Sequence, residues 1–207
     1  MKVIIDNKKL KSVLDKSFNN AILLSKTFPL ASDNQFKSSL FVSEFGKGIF
    51  QTFYDNDDFN LKTIKVNNNG KKISGEWLLD ICVTNENNGF IENISLAAES
   101  ESNVSLKAFQ DDFAKVFHIK ADNYIYLNGL NQLTTKGLKN YIIKRVAYTE
   151  KLLNNSTIEK FYLGFWTSPQ KKGGYNSLWI ALNEGLYPHL QKPQLFEYSG
   201  GRFLKVS

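Results

Sequence analysis

Apolar residues recur every three or four positions at the start of the chain, at Leu10, Val13, Leu14, Phe18, Ala21, Ile22 and Leu24. This spacing predicts an amphipathic helix, and Phe28-Pro29 is a natural stop. A polar turn at Ser32-Asp33-Asn34 follows. Leu40, Phe41, Phe45, Ile49, Phe50 and Phe53 then mark a second helical stripe within residues 37–54, weakened by Gly46 and Gly48 and closed by the polar run 55–58.

Near residue 60 the period changes to two. Residues 61–66 alternate, Asn67 to Gly70 makes a turn, and residues 77–83 form an apolar run that predicts a buried strand. A second turn at Asn85 to Gly89 leads to a third strand over 93–101. Leu106, Phe109, Phe113, Val116 and Phe117 return to helical spacing across 104–119, and 123–128 reads as a further strand. Strand, helix, strand suggests a crossover between parallel strands. A long helix over 134–154 turns Leu138, Tyr141, Ile142, Val146, Leu152 and Leu153 inward and Lys136, Lys139, Lys144, Arg145 and Lys151 mostly outward. Residues 159–166 and 175–182 read as a hairpin, and the tail beyond Pro188 adds a short strand. The pattern predicts one α/β domain over 1–207: an N-terminal helical portion (1–56), a strand-rich core (60–130), and a long helix with C-terminal strands (134–207).

Composition narrows the chemistry. One cysteine, Cys82, excludes an intramolecular disulfide and a thiolate zinc cluster, and two distant histidines, His118 and His189, offer little to an imidazole metal site. No stretch reaches the roughly 18 apolar residues of a membrane span, and residues 1–6 fall short of a signal peptide, so a cytoplasmic protein without membrane contact is expected. The balance of 26 Lys and Arg against 20 Asp and Glu, a net +6, suits a polyanionic partner but does not require one.

What remains is acids inside apolar strands. Asp80 sits in the run 77–83, where an unneutralised carboxylate costs several kcal/mol. Glu99 and Glu101 end the next strand two residues apart and so share a face, beside which a neighbouring strand can set Asp80. Three converging carboxylates need a cation, and an all-oxygen donor set suits Mg²⁺ or Mn²⁺. Taken singly, each acid also fits a plain hydrogen bond to a turn or a lysine pair.

Glu76 to Asp80, Leu96 to Glu101 and Asp112 to Val116, followed by another strand, together resemble the PD-(D/E)XK, or restriction-endonuclease-like, nuclease superfamily. The resemblance covers about a quarter of the chain. It implies a restriction-endonuclease-like core, which with the N-terminal helices and C-terminal hairpin read from the pattern gives an α/β fold with a mixed central sheet flanked by helices. It also implies metal-dependent cleavage of phosphodiester bonds in nucleic acid, DNA before RNA, and a possible homodimer. Asp80 matches the first strand acid and Glu99 the acid of the (D/E)XK element, both as metal ligands. Glu101 stands at the usual lysine's place, as a second-line ligand or an orienter of the nucleophile.

Members that take the lysine from the following helix nominate Lys115, with Lys107 as second choice. The helical wheel sets Lys115 nearly opposite the apolar stripe, the position of a solvated lysine, unless its long stem reaches round. Glu44 is the candidate for the family's additional helix acid. Cys82 reads as a small core residue, His118 as a partner of helix-terminal carbonyls, and Lys171 to Gly174 as a hairpin tip. A catalytically inactive binding module on the same fold is the competing expectation.

Overall fold

The computed structural model describes residues 3–27, 34–66, 72–74 and 78–207, with main chain alone for 72–74. The Phe28-Pro29 stop, Ser32 and Asp33, the Asn67 to Gly70 turn, and Glu76 and Trp77 lie outside the described residues. Helix α1 (Asn7–Leu24) starts where the Asp6 side chain accepts from the Lys9 amide at 2.8 Å, and it buries its three-and-four stripe as expected. Helix α2 (Asn34–Ile49) runs through both glycines and ends in a π-helical turn, Phe50–Tyr54. Those glycines are close-approach positions: a Cβ on Gly46 would meet Thr63 Oγ1 at 2.9 Å, and one on Gly48 would meet Val13 Cγ1 at 3.0 Å. Their helix cost buys contact between α2, the sheet and α1.

The strands are β1 (Phe59–Thr63), β2 (Lys65–Val66), β3 (Lys72–Ser74), β4 (Ile81–Asn87), β5 (Phe90–Glu101), β6 (Tyr124–Leu130), β7 (Phe161–Thr167), β8 (Gln194–Ser199) and β9 (Arg202–Val206). Seven form a mixed sheet in the order β1-β4-β5-β6-β7-β8-β9, while β2 and β3 pair separately. The β1-β4-β5 and β7-β8-β9 sets are antiparallel; β5-β6 and β6-β7 are parallel. Helices α3 (Leu106–His118) and α4 (Thr135–Leu153) are the crossovers between the parallel strands, so a mixed α/β sheet flanked by helices is what the chain forms.

Strand parity separates the two faces. Phe109 and Phe113 of α3 pack edge-on against Tyr126 of β6, and Tyr141 of α4 against Phe165 of β7. On the other face α1 and α2 bring Phe18 to Trp179 and Phe41 to Trp166, ring centroids 5.9 and 4.3 Å apart. The amino-terminal segment is clasped to the late strands: Tyr162 Oη donates to the Ile5 carbonyl at 2.9 Å and Asn7 Nδ2 to Glu197 Oε2 at 2.7 Å.

Three expectations change. Residues 78–80 are a bend with Leu78 exposed, and β4 starts at Ile81, because pairing with β5 carries through the polar Thr84 to Asn87 until Asn88 and Gly89 turn the chain with positive φ. Residues 175–182 are not a strand. Ser177 caps a short helix, α5 (Leu178–Asn183), whose Leu178, Trp179, Ala181 and Leu182 are buried at helical spacing, and β7 pairs instead with β8; the C-terminal hairpin is β8-β9. Arg145 is buried, since it lies one helical repeat from Leu138 and faces the sheet despite its charge. Among the described residues no helix is long and apolar enough to cross a membrane.

Candidate functional site

The acids gather where β5 ends and β4 begins. Ile81 is opposite Ala98 and Cys82 opposite Ala97, so the residue before Ile81 falls beside Glu99, and parity puts Asp80, Cys82, Ala97, Glu99 and Glu101 on the face that α3 covers. Asp80 Oδ2 accepts from the Ser100 amide at 2.9 Å, which ties the bend to β5. Asp80 and Glu99 are 9% and 6% exposed, and their carboxyl groups are hydrogen-bonded to each other. Burial first, then the neighbouring Asp80 charge, pushes the Glu99 carboxyl up to about 9. The pair therefore holds a proton at neutral pH.

Glu101 points elsewhere. Its Oε1 accepts from the Asn103 amide at 2.5 Å, and its carboxyl is hydrogen-bonded to Asp112 of α3; burial and that acid raise it to about 7. Lys115 stands between the two carboxyl pairs, with Nζ 3.5 Å from Glu99 Oε1 and 2.5 Å from Asp112 Oδ1. These acids hold its ammonium above the usual lysine range. The wheel's solvated reading is thus revised: Lys115 is half exposed, but α3 lies close enough to β5 for its stem to reach Glu99. The result is a row of groups, Asp80, Glu99, Lys115, Asp112 and Glu101, each touching the next.

The other nominees are not in the row. Lys107 is exposed and pairs with Asp111. Glu44 lies 3.4 Å from Lys47 and lines a hollow against α1 with Lys16 and Asn20. His118 is the exposed last residue of α3, and His189 Nε2 meets the Gln132 carbonyl at 2.9 Å. Cys82 is fully buried, its thiol pushed up to about 12 by burial and by Glu99. Lys171 and Lys172 are exposed on the turn made by Gly173 and Gly174.

A cleft of about 460 Å³ opens onto the acids, lined by Asp80, Ser100, Glu101 and, from α2, Gln35, Ser38 and Ser39. Ser100 Oγ is buried there without a hydrogen-bond partner among the described residues. The cleft lies outside the carboxyl end of β5, the usual place for ligands in sheets with parallel strands. Sequence reasoning missed Asp112, an ordinary helix acid until α3 is docked, and the three α2 residues, which carry no chemical signal in one dimension.

Among the described residues no three His, Cys, Asp or Glu side chains are disposed around one point to hold an ion. The acids meet two by two. A pair of buried carboxylates still suits Mg²⁺ or Mn²⁺, which is commonly held by one or two carboxylates plus substrate oxygens and waters. Asp80 and Glu99 are that pair, and an orphaned hydroxyl in the adjoining cleft adds oxygen chemistry of the same kind. Compared with models of known protein families and with curated protein sequences, the chain matches none.

Proposed function

We propose that the protein is a divalent-metal-dependent nuclease that hydrolyses phosphodiester bonds, with DNA as the expected substrate. The observation that carries the reading is the buried Asp80–Glu99 carboxyl pair, with Asp80 in the wall of a polar cleft and the Lys115 ammonium 3.5 Å from Glu99. Two buried acids in hydrogen-bond contact are costly to the fold and favour a site that takes up a cation. The order of β4, β5, α3 and β6 agrees with the core implied by the resemblance to PD-(D/E)XK nucleases.

Asp80 and Glu99 would hold the ion, giving up their shared proton. When bound, Mg²⁺ or Mn²⁺ supplies a water of lowered pKa and charge for the phosphoryl oxygens. The Ser100 amide fixes the Asp80 carboxylate, and so sets where one donor oxygen sits. Lys115, anchored by Asp112, places a positive charge beside Glu99, where negative charge builds on a phosphate in the transition state. It supplies the cation that Glu101 cannot. Glu101, near its midpoint at neutral pH, can take up or release a proton at the rim of the cleft.

Purified protein should cut DNA in the presence of Mg²⁺ or Mn²⁺, and Asp80→Ala and Glu99→Ala should abolish cutting while leaving a cooperatively unfolding protein. Failure of the wild type to cut either DNA or RNA overturns the reading. The lack of a three-acid cluster among the described residues favours a second reading, an inactive nuclease-fold binding module. Calorimetry separates the two: acid-dependent heat on titrating Mn²⁺ belongs to the enzyme, and its absence to the module.

A further inference from the structure

Arg145 is 5% exposed on the inner face of α4, yet no carboxylate neutralises it among the described residues. Buried arginines are ordinarily paired. Here the guanidinium stacks on the Tyr141 ring, 3.4 Å from its centroid, and lies 5.2 Å from that of Phe109. Nε donates to Asn128 Oδ1 at 2.8 Å and Nη2 to the Val104 carbonyl at 2.7 Å. The Tyr141 side chain is hydrogen-bonded to it as well. A guanidinium has five N–H donors, so these three partners leave two.

The arginine lines a pocket of about 680 Å³ between the start of α3 and the first half of α4, with Lys144, Asn140, Gln132 and Tyr148 in its walls. Leu106, the first residue of α3, is at its edge, and neither α3 nor α4 carries an acid in its first turn. Both helices thus start near this region with their amides capped by the Ser105 and Thr134 hydroxyls but with no carboxylate to offset their dipoles. Cationic, hydrogen-bonding and aromatic groups converge on a space with no anion in it.

We propose that the Arg145 pocket is a phosphate-binding subsite that seats a backbone phosphate of a polynucleotide. A bidentate fork beside a rim lysine matches a phosphate's oxygens, and the Tyr148 ring offers a base or sugar a surface. Lys144 is exposed in the pocket wall and Lys136 is exposed in the first turn of α4, so positive charge is not confined to Arg145, which fits a chain of phosphates better than a single one. Asn128, the acceptor for Arg145, is paired in register with Glu101 and donates to its carbonyl at 3.3 Å. A strand held at Arg145 therefore passes the acids one β-strand away.

The test is binding in EDTA, so it stands or falls separately from cleavage. A fluorescein-labelled single-stranded DNA of about 15 nucleotides is titrated by anisotropy between about 50 and 200 mM salt. Arg145→Gln should weaken binding about tenfold and reduce the slope of log affinity against log salt by about 0.7, the value for one lost single-strand phosphate contact. Lys144→Glu tests the same pocket from an exposed position that leaves the core intact; it should weaken binding at least as much, whereas Lys9→Glu, an identical charge change on α1, should do far less. Equal effects of Lys144→Glu and Lys9→Glu, or no DNA binding by the wild type, overturn the polynucleotide. A parallel arm follows thermal unfolding with inorganic phosphate against chloride at matched ionic strength. Stabilisation of the wild type but not of Arg145→Gln, without DNA binding, keeps the phosphate site and assigns it to free phosphate. No response in either arm overturns the site altogether.

Discussion

Glu99→Gln isolates the energetic cost of the acid pair. In the unfolded chain the Glu99 carboxyl titrates near 4.5, and in the fold near 9. Between those values the native state holds a proton that the unfolded state has released, so stability must fall as pH rises, fully present below the lower value and lost through the upper one. One such proton integrates to about 1.6 kcal/mol of lost stability between pH ~7.5 and ~9, while Glu101, raised only to about 7, contributes about 0.2 kcal/mol over the same window. The buried Cys82 thiol, raised from about 9 to about 12, adds about 0.4 kcal/mol, so most of the loss in that window belongs to Glu99. Urea unfolding in EDTA, with a slope of about 2–3 kcal/mol/M, should show the wild-type midpoint falling by about 0.9 M, about 0.6 M of it from Glu99. Glu99→Gln keeps the shape and removes the titration, so its midpoint should move by less than about 0.1 M beyond the background both proteins share. Parallel curves for the two proteins, or a wild type that gains stability toward pH 9, would refute the protonated pair.

Other outcomes follow from the same geometry. Added Mg²⁺ should raise the wild-type urea midpoint more at pH ~9 than at pH ~6, since proton and cation compete for the same oxygens, and should do nothing for Glu99→Gln. Lys115→Met should lower single-turnover cleavage about 100-fold, with less than about 1 kcal/mol lost in urea unfolding, because the lysine is half exposed. Gly129→Ala would place a Cβ 2.6 Å from the Ser102 carbonyl, where backbone cannot yield cheaply; it should cost about 1–3 kcal/mol and weaken DNA binding by shifting the Val104 carbonyl that holds Arg145.

How legible the site was depended on what each residue's signal required. Asp80, Glu99 and Glu101 were visible because strand parity is local, and a shift of the β4 boundary from 77 to 81 left Asp80 beside Glu99. α1, α3 and α4 were visible for the same reason, each carrying its stripe in one continuous segment. The reach of Lys115 to Glu99 is not legible because a wheel gives direction around a helix, not the helix's distance from its neighbour. At Arg145 charge and spacing from Leu138 point opposite ways, and the docked helix follows the spacing. Residues 175–182 failed differently: an apolar run of that length suits a short buried helix or a strand equally, and the choice was made by β8, some residues later, taking the edge of β7.

The clasp between the amino-terminal segment and the late strands sets an order of events during synthesis. Ile5 waits for Tyr162, 157 residues later, and Asn7 for Glu197, 190 residues later. Phe18 and Phe41 likewise pack on Trp179 and Trp166. The first two helices therefore leave the ribosome, packed on each other, before Trp166 and Trp179 exist to cover Phe41 and Phe18, and at about 5–20 residues per second those rings wait roughly 6 to 30 seconds. During that interval the α1 and α2 stripes are open to chaperones, and a nascent chain arrested before Phe161 should be bound by them where the completed chain is not.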